Sequence, residues 1–471
     1  MNAIARLMNL KRGELSLAAL AALFYFCVLC GYFFLRPVRE AMGVSRGMDE
    51  LRWLFVVTSI SSLAIVLAFG GVVSKLDRRK FIPIGYLFII GCLALFAGLL
   101  IADVGSGGGL IGSEAETSIA RGVGYTYYVW LSVINLFANA LFWAFMVDVF
   151  NVDQGKRMFA FIGIGGTLGA IVGGWATTVI ADATNSAYLP PGLMVIGAVL
   201  FGAAIVTMLM LDRMAVRSRH SRLGSVPTGA AAGAAADRLR IGPKDEAGRE
   251  RIGGTFWDGA TAVAKSPYLL GIGAYIVMLA IANTMIYFTQ ANIIVEATDT
   301  FSQRVESFAQ FDMLAQIATL FTQMFVTTHV IRRLGVGMTL AILPAVTVAG
   351  FAILAIWPLY GVIMLFQAVH RATRYAISRP ARETLFSVVP PSEKYKAKPV
   401  VDVFLYRGGD VAGVGIDAGF SALGLTLSWV AAATVPLAAG WGVLSIGLGR
   451  AQARRDAAAE EPEPAEEPVA T

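Results

Sequence analysis

Four polar side chains share one face of an apolar stretch near residue 370. They stand at helical positions i, i+3, i+4 and i+7, as Gln367, His370, Arg371 and Arg374. A charge at mid-bilayer costs on the order of 2.5–3.5 kcal/mol, so such side chains need partners or a function. Two compatible interpretations stay open. The arginines pair with acids on neighbouring helices, or they bind an anion.

A second charged group closes the first apolar run, in "GYFFLRPVREAMG". Arg36, Arg39 and Glu40 share a helix face, and Pro37 is expected to kink or end the helix. In one interpretation Arg36 pairs with Glu40, and Arg39 extends to lipid headgroups. In the other, the arginines attract an anion to a cavity with lysines at its inner end: Lys156, Lys394, Lys396 and Lys398. Cations at both ends suit an anionic substrate such as a phosphate ester.

Other polar residues recur at helical spacing in further apolar stretches. We expect Arg407 and Asp410 to neutralise each other as i, i+3 neighbours. The full set of substrate-binding candidates is Arg36, Arg39, Asn135, Asn139, Asn283, Tyr287, Gln367, His370, Arg371, Arg374, Lys396, Lys398 and Arg407. The gating or coupling candidates are Glu40, Asp148, Lys156, Asp312, Asp402 and Asp410. For the asparagines, packing between membrane helices is an alternative role, worth around 1 kcal/mol each.

The elements that must position these residues are membrane helices. The chain has 471 residues, of which 56% are hydrophobic and 15% charged, whereas a soluble domain carries about 25% charged residues. Runs of about 20 apolar residues predict an all-α membrane protein with twelve spans. Their approximate limits are 15–36, 53–73, 81–102, 123–147, 159–181, 190–211, 268–291, 309–330, 338–357, 359–378, 400–423 and 427–448.

The spans fall into two halves of six, as in two parallel repeats of a major-facilitator-like fold. We expect an N-terminal bundle over 1–212, a flexible polar linker over 213–265, a C-terminal bundle over 266–449 and an acidic disordered tail over 450–471. Alternate loops are rich in Lys and Arg, which places both termini in the cytoplasm by the positive-inside rule. The net charge of +6 therefore indicates orientation in a membrane and not nucleic-acid binding.

Several motifs suggest chemistry that their context does not favour. Cys27 and Cys30 have the spacing of a redox or metal motif, but inside an apolar run they are expected to be small buried hydrophobes. Gly163-x-Gly165 has no preceding strand, and Gly165, Gly169 and Gly173 are spaced for close helix packing. We find no nucleophile–base pair, metal-ligand cluster or cofactor motif. We therefore expect no enzyme activity, no cofactor and no metal.

Four segments together resemble the ATP:ADP antiporter family of nucleotide transporters, in particular its relatives in free-living bacteria. They are "LRPVREAM", "NALFWAFMVDVFNVDQGKRMFAFIGIGGTLGAIVG", "SPYLLGIGAYI" and "EKYKAKPVVDVFLYRGGD". The resemblance implies a facilitator-like fold and exchange of nucleotides across a membrane. It covers most of the chain except the linker and the tail.

The resemblance also implies roles for individual residues. The family's Arg-x-x-Lys-Asp pattern corresponds to Arg36, Arg39 and Glu40. Its later pathway motifs correspond to Asp148, Lys156, Arg157, Lys396, Lys398, Asp402 and Arg407. Two positions depart from the pattern. No acid occurs near Leu131 or Ser132, where nucleotide exchangers carry glutamate, and Asp410 stands where they carry lysine. Transport of an anionic solute is the broader implication, and ATP/ADP specificity is the narrower one.

We therefore expect a monomeric secondary transporter in the inner membrane that moves an organic anion, such as ATP, ADP or another phosphorylated metabolite. Its partners would be that small molecule and the lipid bilayer. A proton-coupled exporter of drugs or metabolites is an alternative, with Asp148, Asp312 and Asp410 carrying protons. A membrane receptor or scaffold is an alternative of another class, in which the polar faces only hold helices together.

Overall fold

The computed structural model describes residues 14–73, 78–108, 111–113, 116–150, 152–223 and 256–460, and over these residues the protein is helical with short connections. The helices of the first half are α1 Glu14–Val44, α2 Met48–Val73, α3 Arg78–Gly105, α4 Ser118–Val149, α5 Val152–Ala183 and α6 Leu189–Leu223. Each carries a long apolar run, which is what a membrane helix requires because lipid offers its backbone no hydrogen-bond partners.

In the second half, two stretches of α-helix are interrupted by a π-helical segment. Its elements are α7 Phe256–Lys265, α8 Pro267–Ala297, α9 Phe301–Phe325, α10 Thr327–Ile356, α11 Tyr360–Ala372, a first π-helical segment Thr373–Ser378, α12 Arg379–Thr384, α13 Pro391–Pro399, a second π-helical segment Val400–Leu405, α14 Tyr406–Ala422 and α15 Leu427–Glu460. The predicted spans 359–378 and 400–423 each include one π-helical segment.

Eight of the described helices are long and apolar enough to cross a membrane. They are α1, α3, α4, α5, α6, α8, α10 and α15. The other four predicted spans lie on α2, on α9, on α11 with the first π-helical segment, and on the second π-helical segment with α14. Polar residues such as Gln303, Arg304 and Asp312 lower the hydropathy of α9.

Three boundaries differ from the sequence-based prediction. The span predicted over 309–330 ends at Phe325, and the predicted loop after it lies within α10, where Gly335 breaks the helix with φ of 69°. The predicted linker is helical at both ends, to Leu223 and from Phe256, while residues 224–255 lie outside the described part of the chain. Helix α15 continues to Glu460 and so includes the start of the predicted tail, whose residues 461–471 are not described.

The chain forms two compact units. The first contains Met1–Arg251 together with Ile294–Ile317, and the second contains Ile252–Ile293 together with Ala318–Thr471. The end of α8 and the first four turns of α9 therefore belong to the first unit. The predicted division at the linker into two six-helix bundles stays a prediction.

In the first unit, α1 is the central helix and packs closely on α5. A methyl group on Gly165 would lie 2.5 Å from the carbonyl oxygen of Ala22, and one on Gly173 would lie 2.7 Å from that of Cys30. Only glycine permits this approach of two backbones. The predicted packing role of these glycines is confirmed. Cys27 and Cys30 are buried free thiols on the same helix, as expected.

In the second unit, the packing places α8 against α14. Methyl groups on Gly409 and Gly413 would lie 2.7 Å from the side chains of Ala280 and Thr284 on α8. The hydroxyl of Tyr275, also on α8, is 2.8 Å from the Ser378 hydroxyl at the end of the first π-helical segment. These contacts hold α8, the first π-helical segment and α14 together within one unit.

Candidate functional site

The first candidate cluster consists of Arg36, Arg39, Glu40 and Asp312, all in the first unit. Helix α1 continues through Pro37 to Val44, so the proline does not end it. The buried Glu40 carboxylate lies 3.1 Å from Arg39 Nη2 and 3.6 Å from Arg36 Nε. Arg36 Nη1 donates to Asp312 Oδ1 on α9 at 2.6 Å. The cluster therefore contains two cations and two anions.

Arg39 is held inside the protein by a second element. Its guanidinium lies 4.4 Å from the centroid of the Tyr128 ring on α4, and its side chain is only 12% exposed. The alternative in which Arg39 extends to lipid headgroups is therefore wrong. The pairing of Arg36 with Glu40 is confirmed, but the shorter contact of Arg36 is with Asp312.

The second candidate cluster lies in the second unit. It consists of Gln290 on α8, Gln367, His370 and Arg371 on α11, Arg374 in the first π-helical segment, and Tyr406, Arg407 and Asp410 on α14. Gln367 Nε2 donates to Gln290 Oε1 at 2.5 Å, and both side chains are buried. His370 is also buried, with its ring edge-on to Phe366 at 5.9 Å.

Arg374 has an aromatic and hydroxyl environment in this cluster. Its Nη2 donates to the Tyr406 hydroxyl at 2.7 Å, and its guanidinium lies 5.2 Å from the centroid of the Tyr375 ring. Among the described residues, no carboxylate lies within 4.0 Å of Arg374. By contrast, Arg407 Nη1 donates to Asp410 Oδ2 at 3.0 Å, which confirms the predicted i, i+3 pair. The Thr284 hydroxyl is 3.5 Å from the other oxygen of Asp410.

The first π-helical segment has a local cause in the sequence. Pro380 follows this segment by two residues. A proline ring clashes with the carbonyl four residues earlier and supplies no N–H, so it opens the hydrogen-bond ladder. At the first segment the Arg379 N–H bonds to the Arg374 carbonyl, five residues back. Such wide turns are frequent at functional sites.

Two of the candidates near the predicted inner end of the cavity, Lys398 and Asp402, form ion pairs. Lys398 Nζ donates to Glu383 Oε2 at 2.5 Å and lies 5.6 Å from the Phe386 ring, and Arg382 Nη2 is 3.5 Å from Asp402 Oδ1. Lys396 is partly buried on α13, and Asp148 is exposed near the end of α4. Lys156 lies on α5, and its side chain is outside the described part of the molecule.

The candidate asparagines form hydrogen bonds within their own helices, and Asn139 also bonds to a neighbouring helix. Asn139 Nδ2 donates to the Asn135 carbonyl and to Asn135 Oδ1, each at 3.0 Å, and the Tyr25 hydroxyl donates to Asn139 Oδ1 at 3.1 Å. These bonds connect α4 to α1 and fit the packing alternative. Asn283 donates to the Leu279 carbonyl of its own helix at 2.6 Å, and the partly buried Tyr287 lies against Phe288.

Three residues in or beside the two clusters were absent from the predicted set. Gln290 and Tyr406 belong to the second cluster, and Tyr128 contacts Arg39 of the first. Gln290 stands on the polar face with Asn283 and Tyr287, so helical periodicity contained a signal for it. Tyr406 adjoins Arg407 in sequence, but a tyrosine in an apolar stretch does not by itself indicate a hydrogen bond to a distant arginine.

Solved structures of several membrane transporters share this fold. The nucleoside transporter NupG has a TM-score of 0.54 and 14% identity, over 94% of this chain and 100% of that one. An auto-inhibited POT family peptide transporter has a TM-score of 0.57 and 15% identity, over 96% and 99%. An inward-facing bacterial homologue of the iron transporter ferroportin has a TM-score of 0.59 and 11% identity, over 93% and 100%. The predicted major-facilitator-like fold is confirmed.

Sequence comparison narrows this broad class. No curated protein matches the chain. The sequence pattern of the family described as "TLC ATP/ADP transporter" matches residues 117–361, which is just over half of the chain. That match extends from the start of α4 to the start of α11 and includes Asp312 of the first cluster and Gln290 of the second. The protein therefore belongs to the TLC ATP/ADP transporter family, and it is a multi-pass membrane transporter.

Proposed function

We propose that the protein exchanges organic anions across the inner membrane by alternating access, with nucleotides or related phosphorylated metabolites as substrates. The observation that carries the proposal is the environment of Arg374 in the second cluster. Among the described residues no carboxylate lies within 4.0 Å of Arg374, and the nearby Asp410 carboxylate already pairs with Arg407.

An anion would complete the environment of Arg374. A cation inside a membrane protein is costly unless an opposite charge or strong hydrogen bonds compensate it. The Tyr406 hydroxyl supplies one hydrogen bond to Arg374, and the guanidinium has four further N–H donors. A phosphate group accepts two parallel hydrogen bonds from a guanidinium, which favours it over a monodentate anion.

The amides of the second cluster suit the neutral part of such a substrate. Gln367 stands seven residues before Arg374, which is about 10 Å along a helix. Within the described residues, the Oε1 atom of Gln367 and the Nε2 atom of His370 are buried without a hydrogen-bond partner. Carboxamides pair with groups that offer an adjacent donor and acceptor, as the edge of a nucleobase does. An elongated anion with a neutral hydrogen-bonding end fits both parts of the cluster.

The family match and the structural likeness to a nucleoside transporter support this substrate class. Leu131 and Ser132 leave the pathway without the acid of the nucleotide exchangers. We therefore propose that every substrate must carry a phosphate group and that the nucleobase is a secondary determinant of specificity. The Lys- and Arg-rich loops support an orientation with both termini in the cytoplasm.

Uptake by proteoliposomes tests the proposal. Purified protein is reconstituted into vesicles loaded with unlabelled ADP, and entry of labelled ATP, ADP, other nucleotides and sugar phosphates is measured. We expect saturable uptake of at least one phosphorylated metabolite that depends on the internal counter-substrate. Uptake driven by a pH gradient without counter-substrate would instead support the proton-coupled exporter. The absence of uptake of every compound, with protein shown to be folded, would refute the proposal.

A further inference from the structure

We propose that the ion pair between Arg36 and Asp312 holds the empty transporter closed, and that an anionic substrate takes the place of Asp312 at Arg36 when α9 separates from α1. This inference rests on the proposed exchange function and assigns its coupling to two residues. It predicts that Asp312 makes exchange obligatory by competing with the substrate for one guanidinium.

The first four turns of α9 are attached to the first unit at several levels. Ser302 donates to Asn185 Oδ1 at 3.3 Å, in the connection between α5 and α6. Two residues further, Arg304 Nη1 donates to the Ser45 hydroxyl just after the end of α1, at 3.0 Å. A methyl group on Gly174 of α5 would lie 3.2 Å from the Met313 side chain. Asp312 provides the ionic contact of this row, next to Met313.

The contact of Asp312 is the one that a substrate can replace. In the contacts of Ser302 and Arg304 the acceptor is neutral, whereas in the contact between Arg36 and Asp312 it is a carboxylate, whose place an anionic substrate can take. The Arg36 nitrogen that contacts Asp312 is Nη1, while its Nε faces Glu40. The Arg36 side chain is 22% exposed, compared with 5% for Asp312. A ligand can therefore approach the arginine while the aspartate stays covered.

The charge balance of the cluster means that Arg36 pairs either with Asp312, in the closed state, or with a substrate anion, in the open state. With both acids in place the two arginines are neutralised, so an arriving anion meets no net positive charge. If Asp312 leaves, Arg36 gains a free donor and the remaining three residues carry a net charge of +1. The substrate would then replace Asp312 as the partner of Arg36. A ligand shifts a conformational equilibrium by its preference for one state, and here only the open state offers the guanidinium.

Such a competition explains why an exchanger would not leak. Without substrate, opening α9 would leave Arg36 and Asp312 as separated charges in a largely buried place. With substrate, Arg36 regains an anionic partner. The empty transporter would therefore stay closed, and net efflux without external substrate would be slow.

The test compares two efflux rates from proteoliposomes loaded with labelled ADP, or with the best substrate of the wild-type protein. One rate is measured with unlabelled substrate outside and the other without it. In Asp312→Asn we expect the rate without external substrate to rise about tenfold or more, because the closed state loses its ionic contact. We also expect a lower KM for external substrate. Asp299→Asn makes the same chemical change at an exposed position just before α9 and should leave both rates unchanged.

A charge exchange covers the case in which Asp312→Asn does not fold. The double variant Arg36→Asp with Asp312→Arg restores an ion pair but removes the guanidinium from α1, so both efflux rates should be low. Folded Asp312→Asn whose efflux still depends on external substrate would overturn the inference. So would a double variant that exchanges as the wild type does. If the wild-type protein exchanges no anion, the proposed function fails, and this is visible before any variant is measured.

Discussion

Arg374 donates a hydrogen bond of 2.7 Å to the Tyr406 hydroxyl, and both residues stand at π-helical turns. Arg374 lies within the first π-helical segment, and Tyr406 directly follows the second. Each wide turn contains an extra residue, which changes the direction of the side chains that come after it. The two turns thereby direct the Arg374 guanidinium and the Tyr406 hydroxyl toward each other.

Replacing Arg374 with alanine is expected to remove most transport. The lost charge-assisted hydrogen bonds to an anion are worth about 1.5–3 kcal/mol, which corresponds to roughly 10- to 150-fold in kcat/KM. Tyr406→Phe keeps the guanidinium and removes only the hydroxyl that accepts a hydrogen bond from it, so it should cost less, about 2- to 10-fold. Initial rates of exchange in proteoliposomes measure both effects.

Arg379→Ala is the matched control for that pair of variants. It removes the same type of side chain five residues further on, at an exposed position. Its transport should equal that of the wild type at equal expression. If Arg374→Ala and Arg379→Ala had the same activity, Arg374 would have no role in anion binding.

Asp410→Asn is expected to lower stability more than Glu383→Gln does. The side chain of Asp410 is only 5% exposed, and its loss leaves the partly buried Arg407 without its carboxylate, which costs about 3–5 kcal/mol for a fully buried pair and less here. The Lys398–Glu383 pair is substantially exposed, and such pairs contribute about 0–1 kcal/mol. Thermal unfolding of detergent-purified variants gives the two Tm values. Equal Tm values for the two variants would contradict a structural role for the Arg407–Asp410 pair.

Gly165→Ala and Gly163→Ala should have opposite effects. Both glycines lie in α5, and both changes gain up to about 1 kcal/mol of helix propensity. A methyl group at Gly165 meets the Ala22 carbonyl oxygen at 2.5 Å, whereas no atom lies within 4 Å of one at Gly163. We expect Gly165→Ala to reduce Tm and the yield of folded protein, and Gly163→Ala to leave them unchanged or raise them. A Gly165→Ala protein as stable as wild type would show that α1 and α5 can move apart without cost.

The sequence predicted what local geometry determines. The Arg407–Asp410 pair and the Arg36–Glu40 contact follow from helical spacing alone, and the four-residue spacing from Gly165 to Gly173 predicted a packed face. Membrane helices are also accessible to prediction, because the bilayer requires about 20 apolar residues for each.

What could not be predicted depends on distant parts of the chain. Asp312 lies 276 positions from Arg36, and helical spacing offers Arg36 the local partner Glu40 instead. The π-helical turns shift side-chain directions, so an ideal helix no longer describes the positions after Thr373. The position of Tyr406 beside Arg374 follows from that shift and from the packing of α8 on α14.

The glycines of α5 also determine which side of the Arg36–Asp312 contact is stationary. Since Gly165 and Gly173 bring the two backbones together without intervening side chains, we expect α1 and α5 to move as one rigid pair of helices. Arg36 lies on this pair, six residues after Cys30. In the proposed opening, α9 is therefore the helix that moves, and Arg36 keeps its position.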